Sequence, residues 1–208
     1  MARKTNYIIF AGITVTIILI IFYSFSDTQI DENYIRDIRK YREQKDQSFK
    51  EDSESPIPEH KRAGFAALSY FDPDVSYRIT ADLTRLPQDS TISTPTSTKE
   101  QREFVKYGYA DFVLENKAHR LLLLKPVGQN LHGSLFLAFT DETSGSETYP
   151  AGRYIDVKEP ASNKVEIDFN MAYNPYCAYN DNYSCPIPPP ENHLKVRILA
   201  GERGYKKE

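Results

Sequence analysis

The sequence has little cysteine, no tryptophan and no excess of positive charge. Its 208 residues include two cysteines, with 26 basic and 29 acidic side chains that give a formal net charge of −3. Nucleic-acid-binding domains usually carry a strongly basic surface, so we expect no nucleic acid partner. The chain also contains no P-loop, dinucleotide fingerprint, serine-hydrolase elbow or zinc-protease motif. The sequence therefore predicts no cofactor and no metal ion, and it indicates no nucleophile–base set.

A long hydrophobic run lies near the N-terminus. Residues 7–25 carry no charged side chain, and a helix of this length, at about 1.5 Å per residue, spans a bilayer core. Arg3 and Lys4 precede the run, and acidic residues from Asp27 onward follow it, so the positive-inside rule places the N-terminus in the cytoplasm. A cleaved signal peptide and a buried core helix are the alternatives, but the run is long for a signal peptide and lacks a small-residue cleavage site.

The sequence thus predicts three parts: a cytoplasmic stub and transmembrane anchor (1–26), an amphipathic helix with a linker (27–60), and an exported domain (61–208). Ile30, Tyr34, Ile38 and Tyr41 recur at helical spacing and predict a juxtamembrane helix over residues 31–49. This helix packs on the exported domain or, alternatively, recruits a partner.

Many short apolar or alternating segments separated by turn residues follow from residue 65, and they predict a mainly β fold. We expect an antiparallel sheet arranged as a β-sandwich or a barrel. Leu121–Leu124 is continuously apolar, which indicates a central strand buried on both faces. Residues 90–98 are rich in Ser, Thr and Pro and predict an exposed loop. The predicted strands are Phe65–Tyr70, Ser76–Leu83, Glu103–Glu115, Arg120–Lys125, Leu135–Thr140, Arg153–Asp156, Lys164–Asp168 and Leu194–Ala200.

Two dense motifs occupy the C-terminal third. Asp168–Tyr179 reads D-F-N-M-A-Y-N-P-Y-C-A-Y, and Cys185–Asn192 reads C-P-I-P-P-P-E-N. With Leu68–Arg78, they give the chain a resemblance to a bacterial family known as domain of unknown function 1684. Thr148–Arg153 reads T-Y-P-A-G-R where that family usually has T-Y-G-G-G-R. The resemblance implies an architecture and candidate positions, but no chemistry.

The polar and aromatic residues of this region are candidates for a ligand-binding site. Arg153 offers a planar fork to a carboxylate or phosphate, and tyrosine rings offer stacking faces with a polar tip. Alternatively, Arg153 forms a buried ion pair with Asp168 or Glu191, and the Asn and Pro residues only build turns. The ligand-binding candidates are Glu147, Tyr149, Arg153, Asp168, Asn170, Asn174, Tyr179, Glu191 and Asn192.

Cys177 and Cys185 are separated by seven residues. In an oxidising compartment a disulfide is the first expectation. Two thiols, or a metal site that also uses His193, are the alternatives, although the spacing matches no common zinc pattern.

These features favour a membrane-anchored domain of the cell envelope that binds a polar small molecule or an envelope component, or has a structural role there. The bilayer is expected to be contacted through residues 7–25, and the domain to lie on the periplasmic or extracellular side. The alternative is a carboxylate-dependent hydrolase that acts on an envelope glycan. That function needs two carboxylates about 5–10 Å apart in one cleft, drawn from Asp141, Glu147, Asp168 and Glu191.

Overall fold

A single long helix begins the chain. The computed structural model describes residues 2–128 and 133–205. Helix α1 covers Ala2–Glu51 and a short helix α2 covers Glu59–Arg62, so the helix predicted over residues 31–49 is the C-terminal part of α1. Within the described residues, no helix is both long and apolar enough to cross a membrane. Most side chains of residues 7–25 lie outside the described part, and the predicted anchor stays a prediction.

The domain behind the helix is built on an eight-stranded, mainly antiparallel sheet. The central path runs in the order β6-β5-β4-β3-β1-β7, with β2 added to β3 and β8 added parallel to β5. The end strands β6 and β7 approach each other, so the sheet is barrel-like and nearly closed. The predicted mainly β, antiparallel fold is confirmed. The strands are β1 (Arg78–Arg85), β2 (Thr91–Pro95), β3 (Gln101–Leu114), β4 (Lys117–Pro126), β5 (Ser134–Asp141), β6 (Arg153–Lys158), β7 (Lys164–Asp168) and β8 (His193–Leu194).

The longest hairpin, β3–β4, shows how local sequence specifies the sheet. Leu114 pairs with Lys117, and the two residues between them, Glu115 and Asn116, have φ of 50° and 59°. Two successive positive φ values are typical of the type I′ turn, whose twist matches that of antiparallel strands. Two local signals therefore specify the hairpin: the two-residue turn, and the apolar run Leu121–Leu124 in the returning strand β4.

Side chains on both faces of the sheet are buried. Leu121 and Leu123 belong to the core inside the barrel, whereas Leu122 and Leu124 belong to a second core on its outer face. This alternation follows from the two-residue period of a strand. The outer core needs a cover, and the segment 169–192 and helix α1 provide it, so β4 is buried on both faces as predicted.

Polar contacts fix α1 against the domain. Tyr34 donates to the Asp168 carboxylate at 2.8 Å, and the buried Arg42 donates to the carbonyl oxygens of Phe71 and Asn170. Lys45 forms an ion pair with Glu202 at 2.7 Å. These contacts recur along one side of the helix and set its orientation over the outer face of the sheet.

Three expected elements differ from the structure. The predicted loop at residues 90–98 contains β2, because its alternating Ser, Thr and Ile residues pair with β3 despite their polarity. The predicted strand Phe65–Tyr70 forms no ladder. Tyr70 makes a single bridge with Glu202, and Leu68 N–H donates instead to the Asp46 carboxylate.

The predicted strand Leu194–Ala200 is a strand only at its first residue. Its burial does alternate as in a strand. However, Ile198 N–H donates to the Asp141 carboxylate, and Ile198 C=O accepts from Arg153. The buried side chains of Asp141 and Arg153 thus make hydrogen bonds to this backbone that a neighbouring strand would otherwise make.

Candidate functional site

A cavity of about 820 Å³ lies between α1 and the outer face of β3 to β6. The segment from Tyr173 to Pro186 closes it on a third side. We call it the aromatic cavity, because eight rings line it. These rings belong to Tyr41, Phe49, Phe104, Phe136, Tyr154, Tyr173, Tyr176 and Tyr183.

Four of these rings form a continuous row along the cavity. Phe104 stacks on Phe136 with centroids 5.4 Å apart, and Phe136 meets Tyr154 edge-on at 4.7 Å. Tyr154 in turn meets Tyr173 at 5.9 Å. Phe104 lies on β3, Phe136 on β5 and Tyr154 on β6, and the three side chains share the outer face of the sheet. The row gives the cavity an apolar wall.

Charged groups lie at one end of this row. The Lys45 ammonium is 4.8 Å from the Tyr173 ring centroid and is ion-paired with Glu202. The Tyr173 hydroxyl donates to both Asp156 carboxylate oxygens, at 3.1 and 3.2 Å. Partial desolvation raises the pKa of the Asp156 carboxyl above its ordinary value. This end can therefore accept a hydrogen bond from a ligand at Asp156.

A third charged group, Arg102, lines the cavity beside Phe104. Its guanidinium makes one long contact, 3.5 Å, with the Ser184 carbonyl oxygen. Among the described residues it forms no ion pair, in contrast to Lys45 and Arg153. Arg102 thus has donors available for an anionic group in the cavity.

Arg153, the predicted ligand fork, lies in the protein interior. It is 1% exposed, forms an ion pair with Asp141 at 3.0 Å, and donates to the carbonyl oxygens of Ile198, Ala200 and Glu202. Burial lowers the pKa of the guanidinium, and the Asp141 carboxylate opposes that shift. The structure therefore pairs Arg153 with Asp141, whereas the sequence-based alternative named Asp168 or Glu191.

Asp168 and Asn170 bind the helix. The Tyr34 hydroxyl donates to Asp168 and accepts from Asn170 Nδ2 at 2.9 Å. Asn170 also exchanges two hydrogen bonds with the backbone of Asp74. Burial, reinforced by Asp168, raises the pKa of Tyr34 far above its ordinary value.

Asn174 and Tyr179 surround the buried carboxylate of Glu202. Asn174 N–H donates to it at 2.8 Å and the Tyr179 hydroxyl at 2.5 Å. Lys45 supplies the third partner. This cluster connects α1 to the C-terminal segment next to the aromatic cavity, and only Lys45 of its members lines the cavity.

Asn192 joins two strands. The β4–β5 ladder has a single registered pair, Leu124 with Phe136. Beyond that pair, the fully buried Asn192 side chain accepts from Leu122 N–H and donates to the carbonyl oxygens of Leu122 and Ala138. It takes the place of missing ladder hydrogen bonds.

The remaining candidates each contact a different residue. Glu147 is ion-paired with Arg197, Glu191 accepts from the Tyr109 hydroxyl at 2.9 Å, and the Tyr149 hydroxyl donates to Cys177 Sγ at 3.8 Å. Asp141, Glu147, Asp168 and Glu191 thus each contact a different partner. The carboxylate hydrolase receives no support from their arrangement.

The expected disulfide is absent from the described structure. Cys177 and Cys185 are both buried thiols, and Cys177 N–H donates to Cys185 Sγ at 3.2 Å. A backbone donor and the two hydroxyl groups of Tyr149 and Ser97 thus surround the sulfurs instead of a covalent bond. His193, the third group of the alternative metal site, contacts Thr140 and Glu142.

Sequence reasoning missed most of the cavity lining. Tyr41, Lys45 and Phe49 recur at a spacing of four, which places them on one face of α1, and this signal was available. Arg102 and Asp156 gave no such signal, because they lie on different strands and line the same cavity only as a result of the strand order in the sheet.

The molecule is therefore a small, nearly closed β-barrel domain with a helix-covered aromatic cavity. Residues 63–203 match the family model described as "Protein of unknown function (DUF1684)", and the chain belongs to this family. An uncharacterized protein of Haloarcula marismortui, solved by solution NMR, is 33% identical with a TM-score of 0.64. That similarity covers 83% of this chain and 95% of the other. No curated protein matches the chain.

Proposed function

We propose that this protein is a membrane-anchored binding protein of the cell envelope, and that its ligand is a small amphipathic anion held in the aromatic cavity. The cavity is the observation that carries the proposal. Small-molecule sites typically occupy about 300–1,000 Å³, are mainly apolar, and contain a few placed polar groups. At about 820 Å³, with eight rings and three charged side chains, this cavity fits that description.

The ligand's chemistry follows from the lining. The row from Phe104 to Tyr154 suits a flat or extended apolar body, because ring faces and edges both offer favourable contacts. Arg102 suits a carboxylate or phosphate, which its planar fork can bind through two hydrogen bonds. Asp156 suits a hydroxyl or amine donor at the other end of the row.

The anchor rests on the sequence. Residues 7–25 are apolar, basic residues precede them and acidic residues follow them. We expect the full chain to stay in the membrane pellet after an alkaline carbonate wash, and a C-terminal alkaline phosphatase fusion to be active. Release of the chain by carbonate, or an inactive but expressed fusion, would contradict the anchored and exported arrangement.

A helix substitution tests whether the cavity binds. Gln44 lines the cavity, whereas Gln47, one turn away, is exposed outside it. The full chain in lipid nanodiscs is titrated calorimetrically with naphthoate, an aromatic anion, against empty nanodiscs. Gln44→Trp should obstruct part of the cavity and reduce the binding heat, and the matched Gln47→Trp should leave it unchanged. Absence of naphthoate binding to the wild type, or equal loss in both variants, would refute the cavity as the site.

A second pair of variants tests the anion. Arg102→Gln should weaken naphthoate binding about 10- to 150-fold, because a hydrogen bond to a charged group contributes about 1.5–3 kcal/mol. Binding of the neutral analogue naphthyl methanol should not change. Lys106→Gln, on the same strand outside the cavity, is the control. Equal weakening of both probes by Arg102→Gln would contradict an anion-binding role.

A further inference from the structure

The two thiols lie at the wall of the aromatic cavity. Cys185 is part of its lining, and Cys177 stands behind it in the short helical turn Tyr176–Ala178. The exposed fractions are 7% for Cys185 and 5% for Cys177. Cys185 is held by the segment after β2, since Ser97 N–H donates to Cys185 C=O at 2.9 Å and Ser97 Oγ accepts from Cys185 N–H at 3.1 Å.

The surroundings of the sulfurs stabilise one negative charge. The Cys185 thiol, the Tyr149 hydroxyl and Ser97 act as hydrogen-bond donors to Cys177 and lower its pKa to about 6. The shared hydrogen bond raises the pKa of Cys185 correspondingly. The pair therefore holds one proton and one thiolate near neutral pH, and Cys177 N–H stabilises charge on Cys185 as well.

We propose that Cys177 and Cys185 form a redox-active dithiol that exchanges with the disulfides of small thiols entering through the aromatic cavity. The Cys185 thiol first passes its proton to the Cys177 thiolate across their shared hydrogen bond. The Cys185 thiolate formed in this way attacks one sulfur of a disulfide RS–SR, forms a mixed disulfide and releases RS⁻, which takes a proton from water. Cys177 then loses its proton and attacks the Cys185 sulfur, and the second RS⁻ leaves and is protonated. The pair loses two electrons and one proton, and water supplies the second proton as RS–SR becomes two RSH, so atoms and electrons balance.

The order of the two steps follows from access. Cys185 lines the cavity, and Cys177 does not. Cys177 is placed to resolve the mixed disulfide, because its backbone nitrogen is already 3.2 Å from Cys185 Sγ. The inference does not depend on which ligand the cavity binds.

A redox titration tests the pair. The full chain is equilibrated in glutathione buffers from fully reduced to fully oxidised, trapped with an alkylating agent and weighed by mass spectrometry. We expect a reversible change from two alkylated thiols to none within this range. Two thiols that stay alkylated throughout would show an inert pair, and a bond that persists in excess reduced glutathione would show a structural disulfide. Either result overturns the proposal.

Single variants test the order of attack. With oxidised glutathione, Cys177→Ser should gain one glutathionyl group on Cys185, because the backbone N–H of residue 177 can still donate to that sulfur and no second thiol remains to displace the glutathionyl group. Cys185→Ser should react at least about tenfold more slowly, since its remaining thiol is less accessible. In the wild-type background, Gln44→Trp should slow oxidation relative to Gln47→Trp, a comparison that holds even where a cysteine variant fails to fold. Equal rates in both comparisons would refute entry through the cavity.

Discussion

Replacement of Arg153 by methionine should destabilise the domain strongly. Methionine approximates the length of the side chain but leaves the Asp141 carboxylate, 2% exposed as a residue, without its cationic partner. Removing one member of a buried ion pair costs roughly 3–5 kcal/mol. Asp141 keeps hydrogen bonds from Thr143 and from Ile198 N–H, but three carbonyl oxygens lose a donor. We therefore expect a loss of about 4 kcal/mol in the free energy of unfolding.

The measurement is a urea titration of the full chain in mild detergent, followed by near-ultraviolet circular dichroism of its 15 tyrosines. Asp141→Asn combined with Arg153→Met should recover part of the loss, because no buried charge then remains unpaired. The control is Lys125→Met, which breaks the exposed pair with Glu159 and should cost about 0–1 kcal/mol. If Arg153→Met changed stability by less than about 1 kcal/mol, the structural role of this ion pair would be refuted.

Three further predictions concern other side chains. Asn192→Leu should lower the free energy of unfolding by about 2–4 kcal/mol in the same titration, because three backbone groups of β4 and β5 lose their hydrogen-bond partner. A decrease below about 1 kcal/mol would contradict this role of Asn192. Tyr34→Phe should lower the free energy of unfolding by about 1–2 kcal/mol, because the hydrogen bond to Asp168 is lost. Limited proteolysis should then cut α1 faster than in the wild type. An unchanged rate of cleavage would contradict the role of Tyr34 in docking α1. Asp156→Asn should stabilise the protein at neutral pH. The folded-state pKa of Asp156 is raised, so its charged form destabilises the fold as pH rises through that pKa. The gain in stability from Asp156→Asn should vanish below about pH 4, where the carboxyl is protonated in the unfolded chain as well. A gain that persists below this pH would show that the buried charge of Asp156 is not its cause.

Much of the sheet could be predicted because its signals are local. The strands containing Leu121–Leu124 and Leu135–Thr140 carry apolar runs that are too short for long helices, and turn residues bound them. The strand β2 escaped prediction, since its Ser, Thr and Pro composition resembles a loop until β3 is present to pair with it. Residues 194–200 were predicted as a strand but form one only at Leu194. Their buried and exposed side chains do alternate, but the backbone of Ile198 is hydrogen-bonded to the side chains of Asp141 and Arg153.

The candidate site was harder to predict, for a related reason. Polar residues in unusual motifs can bind a ligand or satisfy buried backbone, and sequence alone does not separate these roles. Asn170, Asn174 and Asn192 are each at most 2% exposed and hydrogen-bonded to protein groups. The cavity lining instead draws on Lys45, Arg102 and Asp156, which are far apart in the chain and line the same cavity only where helix α1 packs on the folded sheet.

The continuity of α1 has a geometric consequence for the proposed anchor. The helix runs without a break from the apolar segment to the residues that line the cavity. At about 1.5 Å per residue, Tyr41 and Ser48 lie roughly 22 and 33 Å along the axis from Ser26. A helix of this kind acts as a spacer of fixed length rather than a flexible tether. It would present the cavity within a few nanometres of the bilayer surface, where molecules that leave or enter the membrane pass first.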